Sequence, residues 1–381
     1  MAARHHNALF HPRLVKTRVE AVDPVLYTKH RETIDTWLEH LRSGTLDATK
    51  ETSLHGGFLE RIFGDVLGYS TMGTAKAGTW DLVAEKSMRA GGSADGALGR
   101  FAKGSSHVVA PIELKGADQF LDHAKGRSLN PIQQGWDYAN KAPESRWIIV
   151  SNYRETRLYA KATGQAAYEL FLLEELATEA GFRRFVGLLG RDAMLGGPSL
   201  DQTPLAEMLV ASEIADREVT GDLYKLYTRL RSNLYEELCR KHSNRPASET
   251  LGYAQTILDR LLFIAFAEDR GLLPSNTIAK AFEHKDAYEP RPVWQNFLAV
   301  FRAVDKGSAT LGIPAYNGGL FRTNPDLEEL ELSDGLCEQF KKLSEYDFRD
   351  DVSVDVLGHI FEQSISDLEE LRRQAESQLI A

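Results

Sequence analysis

The chain has 381 residues, enough for two or three domains, and its 43% hydrophobic and 26% charged residues are typical of a globular protein. It has no apolar run long enough to cross a bilayer and only two cysteines, which excludes a disulfide framework and favours a reducing, cytoplasmic compartment. The net charge of −10 is the sum of +2 in residues 1–200 and −12 in residues 201–381, so a nucleic-acid partner would bind the first half.

Residues 1–52 are predicted to form a helical lead-in with one helix over about 24–42. Residues 53–67 have the apolar stripe of an amphipathic helix, and Gly68 is a natural C-terminal stop. Glu60 lies on another face of this helix. It is either solvated surface or a carboxylate directed across a neighbouring sheet towards Asp95.

From Trp80 the hydrophobic period changes from 3.6 to 2, which predicts three successive strands at 80–85, 93–98 and 107–115. Asn130 and Pro131 form a cap and first-turn pair that opens a helix through Ala139. Two further strands follow, at 146–152 and 157–161, and a long helix begins at about Tyr168. This order of elements predicts a mixed α/β core.

The clearest break in the chain is at Gly196-Gly197-Pro198. Beyond it almost all of the periodicity is helical, with helices predicted at about 206–242, 249–270, 291–304, 334–343 and 354–376. The sequence therefore predicts an α/β domain over 53–195, followed by an all-α helical domain over 196–381.

One polar cluster is predicted within the three-strand meander. Glu113 and Lys115 are two residues apart in a strand, so they project from one face, while Val108, Ala110, Ile112 and Leu114 point to the other. A hairpin brings Asp95 alongside. The cluster is either an ordinary cross-strand ion pair or a Mg²⁺ site built from two carboxylates, with a lysine that can orient water.

Glu60, Asp95 and Glu113-Leu114-Lys115, in this order and setting, resemble the PD-(D/E)XK nuclease superfamily. The resemblance implies a restriction-endonuclease-like core in which Asp95, Glu113 and the Leu114 carbonyl hold Mg²⁺, for which Mn²⁺ can substitute. Lys115 would orient the attacking water and stabilise charge on the phosphate, and Glu60 would hold a water or a second ion. Ser93-Ala94 precedes Asp95 where the family's name-giving proline would stand.

Two further groups are predicted around this site. Gln134 and Tyr138 resemble the Gln-x-x-x-Tyr element of some branches of the superfamily, where Gln134 would join the catalytic set and Tyr138 would contact DNA. The alternative is a core tyrosine with a glutamine at the rim. Basic residues in flanking loops could contact DNA phosphates or be plain solvated charges: Arg100, Lys103, Lys125 and Arg127.

Three phrases of the second half are similar to the helical connector of type IIG restriction–modification enzymes: LDRLLFIAFAEDRGLLP (258–274), IPAYNGGLF (313–321) and VLGHIFEQSISDLE (356–369). The resemblance implies a phage-defence endonuclease acting on double-stranded DNA in a prokaryotic cytoplasm. The 381 residues contain neither the methyltransferase motifs nor a target-recognition domain. We therefore expect those domains, and S-adenosylmethionine, in a longer parent chain or a separate subunit.

Two alternatives concern activity and assembly. The chain could be a catalytically inactive nuclease-fold scaffold that binds DNA or a partner protein. The helical half could also self-associate, since an apolar surface near Ile360 and Phe361 would lack its expected neighbour.

Overall fold

A computed structural model of the protein describes residues 8–76, 78–88, 91–124, 129–288, 290–316, 318–348, 352, 356–364 and 369. The chain forms two compact units, residues 1–214 and 215–381. Residues 196–214, assigned by the sequence to the helical domain, belong to the first unit because Leu205 and Met208 are buried in its core. The first unit has a mixed α/β fold, as predicted.

The helices of the first unit are α1 (Pro12–Glu20), α2 (Val25–Arg42), α3 (Thr45–Ala48), α4 (Glu51–Phe58), α5 (Pro131–Lys141), α6 (Glu179–Leu189), α7 (Arg191–Leu195) and the first part of α8 (Pro204–Lys241). Helix α4 continues as a π-helical segment, Leu59–Val66, and a 3₁₀ turn covers Leu173–Ala177. The strands are β1 (Thr79–Ser87), β2 (Ser93–Ala102), β3 (Ser105–Leu114), β4 (Trp147–Ser151), β5 (Glu155–Ala160) and β6 (Glu169–Leu172).

The six strands form one sheet in the order β1-β2-β3-β4-β5-β6. Strands β1 to β3 are an antiparallel meander, whereas β3 and β4 are parallel and are joined through α5. All five residues of β4 are buried, as expected for a strand covered on both faces. The predicted order of a helix, three strands, a helix and further strands is confirmed.

The long helix predicted from about Tyr168 is wrong. Residues Glu169–Leu172 pair with β5 as strand β6, and the helix begins only at Glu179. Thr178 sets that start, because its hydroxyl accepts a hydrogen bond from the Gly181 amide. The preceding residues alternate between buried and half-buried side chains, which is the period of a strand.

Helix α5 is fixed at its start and packs closely on the sheet. Asn130 caps the helix and Pro131 lies in its first turn, as predicted, and Gln133 completes a reciprocal capping box with Asn130. At Gly135 an added Cβ would lie 2.9 Å from Ile148 Cγ2 and 3.9 Å from Glu113 Cβ. The absence of a side chain at Gly135 therefore lets α5 cover Glu113 and β4.

Strand β3 contains a bulge that the sequence did not reveal. Leu98 pairs with Ala110, but Gly99 pairs with Val108, so Val109 is an extra residue on β3. Val108 therefore lies in a different core cluster from Ala110. The prediction that Val108 shares a face with Ala110, Ile112 and Leu114 is wrong for this one residue.

The second unit is built from helices. They are the rest of α8, α9 (Ala247–Asp269), α10 (Thr277–Glu283), α11 (Val293–Lys306), α12 (Pro325–Glu328) and α13 (Asp334–Phe340), with 3₁₀ turns at Gly319–Phe321 and Lys341–Glu345. Residues 356–364 are also helical, and most of the predicted 354–376 helix beyond them is outside the described residues. None of the helices in the described part of the chain is both long enough and apolar enough to cross a membrane.

A buried polar group of side chains lies inside this helical unit, and we call it the helical-unit network; it consists of Tyr227, Arg231, Gln255, Asp259 and Ser364. Asp259 accepts hydrogen bonds from the Tyr227 hydroxyl (2.5 Å) and the Gln255 amide (2.9 Å). Ser364 donates to Gln255 at 3.0 Å and accepts from Arg231 at 3.1 Å. The network thus ties residues 356–364 to α8 and α9.

Candidate active site

The meander brings the three predicted residues Asp95, Glu113 and Lys115 together. The Leu114 amide donates to Asp95 Oδ2 at 2.7 Å, which fixes the start of β2 beside the end of β3. Lys115 Nζ forms an ion pair with Glu113 and lies 3.9 Å from Asp95 Oδ2. The same ammonium donates to the Leu114 carbonyl at 3.1 Å. The predicted convergence of these side chains is therefore present, whereas their chemical role stays a prediction.

A third carboxylate, which the sequence analysis missed, comes from Glu51 at the first position of α4. Glu51 Oε1 lies 3.7 Å from Lys115 Nζ. Glu51 Oε2 accepts from the Gly116 amide at 3.0 Å and from the Gln119 side-chain amide at 3.2 Å. We refer to Glu51, Asp95, Glu113 and Lys115 as the carboxylate cluster.

His55 follows Glu51 by one helical turn and lies against two of the carboxylates. Its Nδ1 is 3.9 Å from Asp95 Oδ1 and its Nε2 is 3.8 Å from Glu51 Oε1. Glu51 escaped the sequence analysis because the helix was expected to begin at residue 53, and His55 was not singled out within that helix. The four-residue spacing of Glu51 and His55, which puts them on one helix face, is the signal that could have found them.

Tyr153 holds the start of α4 in place. Its hydroxyl donates to the Glu51 carbonyl at 3.3 Å, and its ring packs against Phe58 and Trp37. Its φ of +67° is in the left-handed region, which is uncommon for a residue other than glycine. Burial, with added repulsion from Glu51 and Asp95, raises the pKa of Tyr153, so this side chain is a neutral donor at ordinary pH.

Glu113 is the most deeply buried carboxylate of the cluster, with a relative exposure of 2%. Burial raises the pKa of Glu113 to about 7, against the attraction of Lys115 and with the help of repulsion from Asp95 and Glu51. Three carboxylates thus face one ammonium, and the site has an excess of negative charge that a cation would neutralise.

Glu60 is not part of this cluster. It lies nine residues beyond Glu51, which is roughly two and a half helical turns and therefore on the opposite side. Its side chain is exposed and lines a groove of about 780 Å³ together with Trp80 and Phe101. The helical carboxylate expected at Glu60 is supplied by Glu51.

Gln134 and Tyr138 both lie on α5, but they have local packing roles. The Gln134 amide donates to the Leu129 carbonyl at 3.2 Å, at the rim of the helix. Tyr138 packs in a core cluster with Met88 and Phe101, and its ring is 3.1 Å from the position that a Cβ would take at Gly92. The structure thus places them as a rim glutamine and a packed tyrosine.

The basic residues predicted to flank the site lie elsewhere or outside the described residues. Arg100 is within β2, where its guanidinium donates to the carbonyls of Leu195 and Gly197. Lys103 is exposed in the β2–β3 turn, eight residues and roughly 26 Å along the strand from Asp95. Because the hairpin tip points away from the cluster, neither residue flanks it. Lys125 and Arg127 lie outside the described residues.

The oxygen atoms of the cluster fit a magnesium ion in kind and in charge. Asp95 and Glu113 offer carboxylate oxygens, and the Leu114 carbonyl follows Glu113 directly in the chain. Mg²⁺ prefers such oxygens and commonly takes only one or two carboxylates, with water completing its shell. Within the described residues, no group of three or more His, Cys, Asp or Glu side chains is arranged as a preformed metal site. The fit of the cluster to Mg²⁺ therefore depends on the two carboxylates and on the excess negative charge.

Comparison of the chain with protein-family models, with curated proteins and with solved structures gives no match. We therefore infer function from the residues of this chain and their geometry.

Proposed function

We propose that this protein is a Mg²⁺-dependent endonuclease that hydrolyses phosphodiester bonds in double-stranded DNA. The observation that carries the proposal is the convergence of Asp95, Glu113 and Glu51 on the Lys115 ammonium, at the open end of the hairpin where β2 starts and β3 ends. Two carboxylates and a lysine at this point of a three-strand meander are the arrangement expected from the nuclease resemblance.

In this proposal each side chain has a distinct task. Asp95, Glu113 and the Leu114 carbonyl hold Mg²⁺ or Mn²⁺, which supplies Lewis-acid stabilisation of negative charge and lowers the pKa of water. Lys115 orients the attacking water and stabilises the charge that develops on the phosphate. Glu51 holds Lys115 and the turn that follows it. The products would be a 5′-phosphate and a 3′-hydroxyl.

The wider setting that we propose is a type IIG restriction–modification enzyme of a prokaryotic cytoplasm, used in phage defence. The helical unit would be its connector. A methyltransferase that uses S-adenosylmethionine and a target-recognition domain would then act as partners, in a longer chain or as a separate subunit. The acidic helical unit repels a phosphate backbone, so DNA should approach through the first unit.

A catalytically inactive scaffold is the second candidate, and one observation favours it. The Lys115 ammonium is already paired with Glu113, and Asp95 Oδ2 is engaged by the Leu114 amide. A site whose charges are used for internal pairing can hold a fold together without chemistry.

Plasmid nicking in Mg²⁺ separates the two candidates. We expect Asp95→Asn, Glu113→Gln and Lys115→Met each to lower the nicking rate by at least about a hundredfold, the scale of losing one stabilising group. Glu60→Gln and Lys103→Ala, at exposed positions away from the cluster, are the matched controls. Undiminished nicking by all three cluster variants would refute catalysis at this site. DNA binding by the wild type without nicking in Mg²⁺ or Mn²⁺ would favour the scaffold.

A further inference from the structure

An exposed aromatic ring follows the carboxylate cluster in the chain. Phe120 follows Lys115 by five residues, and 61% of its surface is exposed. The His123 ring contacts it edge-on, with centroids 5.9 Å apart and planes at 81°. Single exposed apolar side chains are common on protein surfaces, and Phe120 differs from them by the fixed backbone that carries it next to a residue of the carboxylate cluster's hydrogen-bond network.

The backbone before Phe120 is held by the cluster itself. The Gln119 side chain donates to the same Glu51 carboxylate that faces Lys115, and the Gln119 amide closes a turn onto the Gly116 carbonyl at 2.9 Å. Asn152 donates to the Gln119 carbonyl at 2.8 Å. One carboxylate thus links the proposed catalytic lysine to the residue that precedes Phe120.

The backbone after Phe120 is held by the core. Leu121 is fully buried among the residues beneath α5. Asp122 accepts two hydrogen bonds from Arg157, at 2.8 and 3.1 Å, and the Arg157 side chain is itself 2% exposed. Phe120 is therefore an exposed ring on a backbone that is fixed on both sides.

We propose that Phe120 is a wedge that enters the base stack of duplex DNA beside the phosphate bound at the carboxylate cluster. The inference rests on the proposed nuclease function and names its substrate class more closely. Apolar side chains that enter a base step unstack and kink the duplex. Because the backbone that carries the ring is held in advance, less freedom is lost on binding and more of the stacking energy is retained.

The wedge has a consequence for substrate choice. Unstacking an intact base step costs energy, and a mismatch beside the cut has already lost part of its stacking. The wild type should therefore bind and cut mismatched duplexes better than fully paired ones, and this preference should depend on Phe120.

The test uses duplexes that carry 2-aminopurine at successive positions, with Ca²⁺ in place of Mg²⁺ so that the DNA stays whole. Wild-type protein should raise the fluorescence, most strongly where the 2-aminopurine lies beside a mismatch, because an unstacked 2-aminopurine is brighter. Phe120→Ala should abolish the rise and weaken binding on the order of tenfold, the scale of losing one stacked base. Phe120→Trp should keep both the fluorescence rise and the binding. Val25→Ala, at a 65% exposed position on α2, is the control and should behave as the wild type.

The outcomes that overturn the proposal are separate from those that overturn the nuclease. Nicking in Mg²⁺ together with an equal fluorescence rise in wild type and Phe120→Ala would refute the wedge and leave the nuclease standing. DNA binding without a fluorescence rise at any 2-aminopurine position would also refute the wedge. Sedimentation in which Phe120→Ala alone converts an oligomer to a monomer would assign the ring to self-association instead. If Phe120→Ala unfolds, Phe120→Trp and Phe120→Leu decide the matter, since only an aromatic ring should restore full binding.

Discussion

The carboxylate cluster and the helical-unit network both bury a carboxylate, but they satisfy it by different means. Burial raises the pKa of Asp259, and hydrogen bonds from Tyr227 and Gln255 oppose that rise. Burial also raises the pKa of Glu113, and there the neighbouring Asp95 and Glu51 add to the rise. Neutral donors can complete a structural carboxylate. Additional carboxylates instead leave a demand for positive charge, and for this reason we propose the cluster as a cation site.

The largest expected difference concerns pH. Glu113 has a folded pKa of about 7 against an ordinary 4.5, so the folded state holds a proton more tightly than the unfolded state. Ionised Glu113 destabilises the folded state because it is buried. This free-energy cost is absent below pH 4.5, grows between pH 4.5 and 7 and is complete above pH 7. Glu113→Gln should therefore gain stability relative to wild type by about 3 kcal/mol across that window. Chemical denaturation of both proteins from pH 4 to 8 measures this, and a constant difference would show that Glu113 has the same pKa in the folded and unfolded states.

Magnesium should stabilise the cluster and leave the network unaffected. At free Mg²⁺ of about 100 times its dissociation constant, binding to the folded state adds about 2.7 kcal/mol. Asp95→Asn should lose this increment because it removes a proposed ligand, whereas Asp259→Asn should keep it. Thermal unfolding with and without Mg²⁺ provides the measurement. An increment that survives in Asp95→Asn would place the bound ion elsewhere.

Removing the acceptor at the centre of the network should destabilise the helical unit without changing nicking. Asp259→Ala leaves the Tyr227 hydroxyl and the Gln255 amide buried without that acceptor, at a cost of about 2 kcal/mol. Asp222→Ala is the matched control, because its exposed pair with Lys225 contributes about 0.5 kcal/mol at most. Equal urea midpoints for the two variants would contradict a structural role for the network.

The smallest expected effect comes from two glycines of the first unit. An added methyl at Gly135 would press on Ile148 and move α5 away from Glu113. Gly135→Ala should therefore lower the free energy of unfolding by about 1 kcal/mol. It should also lower the pKa of Glu113, because water would reach the carboxylate. Gly57→Ala meets nothing within 4 Å and should gain about 0.8 kcal/mol of helix propensity. Denaturation curves that rank the two variants in the opposite order would show that α5 does not pack this closely.

Alternation and register allowed much of the cluster to be predicted from the sequence. Glu113 and Lys115 share a face by period, and a hairpin with a turn at Lys103 and Gly104 necessarily brings Asp95 towards Glu113. The helical carboxylate was placed at Glu60, because the apolar stripe alone does not say which end of a helix meets the sheet.

The remaining misses have equally specific causes. The bulge at Val109 escaped because an extra residue leaves no mark in a short apolar run. Strand β6 escaped because Tyr168 and its neighbours are compatible with either period, and pairing with β5 decides between them. Gln134 and Tyr138 were correctly placed on α5, but their local contacts depend on the loop and core around that helix.

The bulge in β3 divides the hairpin into two parts that can change separately during evolution. The bulge at Val109 shifts the alternation of side chains between the two faces of the sheet. An insertion or deletion in the hairpin tip therefore need not change the face on which Glu113 lies. Related sequences should therefore vary in length near Lys103 and Gly104 while keeping the spacing from Ala110 to Lys115 constant. The tip is thus the place where this fold could acquire a new loop without loss of the proposed chemistry.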